Sequence, residues 1–226
     1  MLRTNLLSRR YAFVDVETTG FSPASCGVVE VACLLVERGG VVATFETLIN
    51  PEQPIPWHAT AVHGISDWDV AAKPPLEDVA GFVESMCDGA IVVAHNAGFD
   101  LGFLPFLRKY PSLCSYRLAA RVVPEAPNHQ NQTLRRFFNV KDPALKSRSA
   151  HRALADAVVT RHVFFACLHR YLAAGLPDNL RSLIAFTRRQ PQLCRYELNA
   201  YRWRSPQSCP PSSMVSTTTT PKFHFR

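Results

Sequence analysis

Three apolar runs of strand length open the chain, Tyr11–Val16, Val28–Val36 and Val41–Ile49, with the turn-forming stretch "ERGG" between the last two. Runs of this length bounded by turn signals read as strands, and strand following strand predicts an antiparallel meander. The segment "NPEQPIPWHATAVHGIS" breaks the pattern with prolines and turn formers, so it reads as a loop carrying one short helical piece. Apolar residues then recur at helical spacing in "PLEDVAGFVESMC", followed by the short strand-like run "AIVVAH". "LGFLPFLRKY" is expected to continue as helix despite Pro105, "CSYRLAARVV" to be a short strand entering a helix, and "NQTLRRFFNV" to be another helix. From Ala150 to Ala173 the spacing predicts one long amphipathic helix stopped at Gly175, and a further helix spans Asp178 to Arg188. Strands first, then helix and strand in alternation, describe an α/β domain: a mixed sheet flanked by helices.

The main domain is placed at residues 10–175, after an N-terminal extension at 1–9 and before a C-terminal helical extension at 176–204. The tail at 205–226, "SPQSCPPSSMVSTTTTPKFHFR", holds little that could form a core and is expected to be disordered, as a linker or a partner-binding segment. Charged residues interrupt every apolar run before it reaches the roughly 18–20 residues that cross a bilayer, so no membrane span is expected. "MLRTNLLSRR" does not read as a secretory signal. Seven cysteines without a CxxC pair fit reduced thiols better than disulfides or a zinc cluster, and a cytoplasmic protein is expected.

The net charge of +7 conceals an asymmetry. Residues 1–100 carry 5 Lys or Arg against 13 Asp or Glu, whereas residues 101–226 carry 20 against 5. Twenty of the 25 basic residues are Arg, whose planar fork suits phosphate. A solvated surface of mixed charge could produce this division. The other reading is an acidic pocket for cations beside a basic surface for a polyanion, with Arg117, Arg121, Arg135, Arg136 and Arg148 as candidate phosphate contacts.

The first strand poses the chemical question. In "YAFVDVETTGF", Asp15 and Glu17 are two residues apart and so point to the same face of a strand. Buried without a partner, two like charges cost roughly several kcal/mol or protonate. Either Arg side chains neutralise them, or the strand end is exposed, or a cation lies between them. "TTG" follows, small enough for backbone to approach a ligand closely. Asp100, in "VVAHNAGFDLGFL", could by itself be a helix cap. In "SAHRALADAV", His151 and Asp156 lie five residues apart, about 140° around an ideal helix, so they converge only if His151 sits on a loop or frayed first turn. Separately, His151 could be a surface histidine and Asp156 could pair with Arg152.

Together, Asp15, Glu17, Asp100 and Asp156, with His151 five residues before the last Asp, resemble the DEDDh 3′-5′ exonuclease family, that of the proofreading epsilon subunit of bacterial DNA polymerase III. "FVDVETTGF", "HNAGFDLGFL" and "HRALADA" resemble its three motifs in order, and "VHGIS" its substrate-side loop, over about residues 10 to 170. The resemblance implies a ribonuclease-H-like fold opening with three antiparallel strands, and hydrolysis from the 3′ end that releases nucleoside monophosphates. It also implies two Mg²⁺ or Mn²⁺ ions on Asp15, Glu17, Asp100 and Asp156, with His151 as general base, a role that the ordinary histidine pKa of about 6.5 suits. Thr18, Gly20, His63 and Phe103 would contact the terminal nucleotide, although Phe103 could equally be core. Single-stranded DNA or RNA 3′ ends are the implied substrates, with proofreading or repair of DNA ahead of RNA trimming. The tail leaves room for a polymerase or other protein partner, and a non-catalytic polymerase-associated subunit of the same fold is the competing reading. One departure stands out: the family often has an Asp-Thr pair near the strand at Cys114, where this chain has "CSYRLAARVV", which puts local packing in question.

Overall fold

The computed structural model describes residues 6–145 and 151–188. Five strands form one mixed sheet: β1 Arg10–Thr18, β2 Val28–Glu37, β3 Gly40–Leu48, β4 Ile91–Ala94 and β5 Ser112–Cys114, in the order β3-β2-β1-β4-β5. The β1, β2 and β3 strands are antiparallel neighbours, whereas β4 runs parallel to β1 and β5 parallel to β4. The expected meander and mixed sheet are both present.

Eight α-helices complete the described fold: α1 Trp57–His63, α2 Asp67–Val70, α3 Leu76–Cys87, α4 Ala97–Phe103, α5 Ser115–Val122, α6 Asn131–Phe137, α7 Ala153–Ala173 and α8 Leu180–Arg188. Alternation along the strands divides their side chains between two layers. Tyr11, Phe13, Leu34 and Val93 face a core closed by α5, α7 and α8. Ala12, Val14, Cys33 and Val92 face a second core closed by α3, α4 and the turn that follows α4. Leu6 is fully buried in the first core, where its carbonyl accepts the Tyr11 hydroxyl at 2.7 Å. The Phe186 ring of α8 lies 5.1 Å from that of Tyr171, so residues on both sides of 10–175 share this packing.

Three elements differ from the sequence expectation. Helix does not continue through Pro105: α4 stops at Phe103, Leu104 takes φ −114° and ψ 63°, and Pro105–Lys109 is a 3-10 segment. The residue before a proline is pushed out of the α region, which accounts for the break. The short α2 was not anticipated; it is held by a capping box in which Asp69 accepts the Ser66 N–H at 2.8 Å and hydroxyl at 2.6 Å. The long helix begins at Ala153 rather than Ala150, which leaves His151 and Arg152 outside it. At the departure near Cys114, the buried Ser115 hydroxyl bonds His95 Nδ1 at 2.9 Å and so ties α5 to the end of β4. The expected tail at 205–226 lies outside the described residues, and among these no helix is long and apolar enough to cross a membrane.

The α7 helix crosses the first layer antiparallel to β1. Tyr11 and Phe13 meet Phe164 with ring centroids 5.0 and 5.7 Å apart, whereas the far end of β1 meets the start of α7. Replacing Phe164 by Ala removes this fully buried ring and is expected to cost about 3–5 kcal/mol. Phe21→Ala, at a side chain 89 % exposed, is expected to leave stability unchanged. Equilibrium urea unfolding of both variants checks the contrast.

Candidate active site

Side chains 11, 13, 15 and 17 share one face of β1, and the face changes character along its length. Its first half is the aromatic pair Tyr11 and Phe13, and its second half is Asp15 and Glu17. On β2 the same layer receives Ala32, Leu34 and Val36, with Glu30 paired directly opposite Glu17. The α7 helix brings Asp156 over them in its first turn. One carboxylate oxygen each from Asp15, Glu17 and Asp156 lies within 4.8 Å of the others.

Asp100 reaches the same place by another route. Pairing of β4 with β1 ends at Phe13 and Val93, and beyond it the backbone N–H of Val16 is taken by the Asp100 carboxylate. Asp100 is buried and stands outside the tight triad, yet it is the foremost charged neighbour of Asp15. The helix-capping alternative does not apply, because Asp100 is the fourth residue of α4.

His151 lies on the rim. Its φ of 61° puts it in the left-handed region, and Arg152 after it is extended (φ −122°, ψ 130°), so the imidazole is freed from helical geometry. Nδ1 then comes within 3.9 Å of Asp156 Oδ2, with the side chain 53 % exposed. This is the loop placement that convergence requires. Arg152 does not pair with Asp156; it pairs with Glu30.

The nucleotide-contact candidates are placed as follows. The Thr18 hydroxyl donates to the Gly20 carbonyl at 2.7 Å and shapes the turn after β1. A Cβ on Gly20 would come within 2.7 Å of Cys26 Sγ, so a larger residue there would require the Cys26 side chain to move. His63 is 4 % exposed. Its Nδ1 accepts the Ile65 N–H at 3.0 Å, and its Nε2 is buried without a partner in hydrogen-bond geometry. Burial lowers its pKa, and interaction of the ring with the Thr18 backbone opposes that shift. Phe103 packs in the second core with its ring 5.0 Å from that of Phe99, the more exposed of the two.

Among the candidate phosphate contacts, Arg121 is a correction: it is 3 % exposed and donates to the Arg117 carbonyl, so it is unavailable to a polyanion at the surface. Arg148 lies outside the described residues. Arg117 and Arg136 are exposed, and Arg135 is close enough to Asp156 to lower its pKa.

Two residues at the site were not foreseen. Gln132 donates to Asp156 Oδ1 at 2.5 Å. Glu30 is fully buried and accepts from Arg152 and from the Ala153 N–H. Glu30 left a legible signal, since a single carboxylate inside the apolar run "VVEVACLLV" must find a partner if the strand is buried. Gln132 left none.

The electrostatics reflect crowding. Burial first, and then Asp100, Asp156, Glu17 and Glu30, raise the Asp15 pKa well above the carboxylate range. Glu17 is raised to about 8 by burial and then by Asp156. Asp100 is raised to about 7 by burial, against the opposing Val16 N–H. Asp156 is raised by burial, with His151 and Gln132 opposing. Among the described residues no Lys or Arg forms an ion pair with Asp15, Glu17 or Asp156. Carboxylate oxygens clustered in this way could hold a hard divalent ion.

Folded pKa values above the unfolded ones mean that these acids stabilise the fold while protonated, below the ordinary range near ~4. That contribution is lost as pH rises through about 7 to 8. In EDTA the melting temperature is expected to fall between about pH 6 and about pH 8.5. Mg²⁺ or Mn²⁺ is expected to raise it more at the upper pH, where the carboxylates are ionised. Calorimetry at both pH values, with and without metal, checks the two signs.

Residues 12–164 match the family model described as exonuclease, RNase_T. A DNA polymerase III subunit epsilon-like protein of Rhodobacter capsulatus is 33 % identical over 212 residues, 88 % of this chain and 29 % of the relative. A PolC-type DNA polymerase III of Caldanaerobacter subterraneus is 30 % identical over 177 residues, 75 % of this chain and 12 % of the relative. The chain thus spans less than a third of either. Exonuclease X, solved in complex with 5′ overhanging duplex DNA, superposes with a TM-score of 0.63 at 28 % identity, covering 78 % of this chain and 99 % of that one. E. coli exonuclease I with a dT13 oligonucleotide shares the fold at a TM-score of 0.62 and 17 % identity, covering 78 % of this chain and 46 % of that one. The family match begins within β1 and ends within α7, so it contains all four acids and His151, and the chain belongs to the exonuclease family.

Proposed function

We propose that the chain is a divalent-metal-dependent 3′-5′ exonuclease acting on single-stranded or overhanging DNA ends, through two ions held at Asp15, Glu17, Asp156 and Asp100. The observation that carries the reading is the approach of three carboxylate oxygens to within 4.8 Å in a partly buried site, with His151 at its open rim. Divalent cations bound there would neutralise charge developing at the scissile phosphate and acidify an attacking water.

The side chains divide the remaining tasks. Gln132 fixes one oxygen of Asp156 and so orients its carboxylate. Asp100, seated on the Val16 N–H, contributes its charge beside Asp15. His151 takes the proton of the attacking water on its imidazole, where its exposure gives the substrate access. Attack at phosphorus breaks the bond to the 3′ oxygen of the preceding nucleotide and frees a nucleoside monophosphate. His63, buried against the Thr18 backbone at the end of β1, would line the site of the terminal nucleotide. Exposed Arg136 and the nearby Arg135 are placed to attract the phosphate backbone. The similarity to exonuclease X, solved on overhanging DNA, supports DNA over RNA.

His151→Ala is expected to slow single-turnover hydrolysis of a short oligonucleotide by about 10²–10⁴-fold while Mn²⁺ binding survives. An unchanged rate would remove His151 from the mechanism. Incubation with 3′-labelled and 5′-labelled DNA and RNA, in Mg²⁺, Mn²⁺ or EDTA, reads polarity, polymer and metal need on one gel. Products released from the 5′ end, or undiminished activity in EDTA, would overturn the proposal.

A further inference from the structure

Glu30 is a fifth carboxylate at the site, and it differs from the others in having its oxygens engaged. Oε1 accepts Arg152 Nη2 at 2.5 Å and Nε at 3.1 Å, and Oε2 accepts Arg152 Nε at 3.1 Å and the Ala153 N–H at 2.8 Å. Glu30 is fully buried, and a charge in that position is tolerated only because it is paired this completely. Its three donor groups belong to two consecutive residues at one junction. Before them stands His151 in the left-handed region, and after them α7 begins, with Asp156 in its first turn. No side chain at the N-cap position, Arg152, caps α7; a strand residue 123 positions away takes the first helical N–H instead.

We infer that Glu30 and Arg152 form a clamp that sets the register of α7 against β1 and β2, so that His151 and Asp156 face Asp15 and Glu17 together. Glu30 is a positioning residue and holds no metal. The clamp acts on two partners at once: it fixes the backbone on which His151 turns off the helix, and it fixes the first turn that carries Asp156. A helix sliding or fraying by one residue would withdraw both, and displacement of a catalytic group by about 1 Å costs on the order of 10²-fold in rate. The inference rests on the nuclease reading given above.

The test compares full-length wild-type protein with Glu30→Gln, Arg152→Ala and Arg152→Lys on a 3′-labelled oligonucleotide. In Arg152→Ala and Glu30→Gln, kcat is expected to fall by about 10- to 100-fold, with KM held close to wild type and Mn²⁺ affinity, read by electron paramagnetic resonance, lowered far less than in Asp15→Ala. Arg152→Lys is expected to recover part of the loss, and amide hydrogen exchange at Ala153 to lose protection in Glu30→Gln. Should Glu30→Gln fail to fold, the Arg152 pair decides, because that side chain is 36 % exposed. A folded Arg152→Ala with wild-type kcat would overturn the clamp alone. Loss of Mn²⁺ affinity in Glu30→Gln, matching that of Asp15→Ala, would make Glu30 a ligand and also overturn it. Wild-type protein unable to hydrolyse any labelled end would refute the nuclease reading, and the clamp with it.

Discussion

Repulsion among crowded, buried and half-buried carboxylates governs this structure. Asp15, Glu17 and Asp156 bring oxygens within 4.8 Å of one another, Asp100 presses on Asp15, and Glu30 stands across the ladder from Glu17. Like charges directly opposite one another on a sheet oppose pairing. Of the guanidinium groups near this field among the described residues, Arg152 is committed to Glu30, and Arg135 makes no ion pair with Asp156. The remaining acids crowd together without such a pair, and burial, with mutual repulsion at Asp15 and Glu17, raises their pKa values. Dipoles help as well, since the start of a 21-residue helix lies over the acidic end of β1 and favours negative charge there.

What resists the repulsion lies at the other end of the same strand. Tyr11 and Phe13 pack edge-on against Phe164 in a fully buried cluster, so β1 is anchored to α7 by its aromatic half and presents Asp15 and Glu17 on its acidic half. Antiparallel crossing makes this division possible, because moving along β1 toward Glu17 means moving back along α7 toward Asp156. Rigid packing thus lies within a few residues of an electrostatically costly site, the arrangement in which such a site can persist.

Much of the fold was legible in the chain. Strand-length runs, the turn at "ERGG" and the long periodic helix are local patterns, and each appears within a few residues of its expected place. Boundaries failed where a long-range contact won. The long helix was read from Ala150, but Glu30 captures Arg152 and the Ala153 N–H and moves its start to Ala153. Arg121 looked like a surface charge and proved to be buried, because nothing in its flanking residues records which face of α5 meets α7.

By itself the sequence determined which chemical groups the protein possesses and in what local geometry. Asp15 and Glu17 must share a face because strands alternate, and the motifs around Asp100, His151 and Asp156 were sufficient to name the family. Tertiary structure decided which groups meet. Sheet order sets Asp100 beside Val16, the crossing of α7 brings Asp156 over β1, and Gln132 and Glu30 become part of the site only through those placements. The physical reason is range: backbone periodicity acts over a few residues, whereas convergence of residues 15, 100 and 156 depends on how whole layers pack.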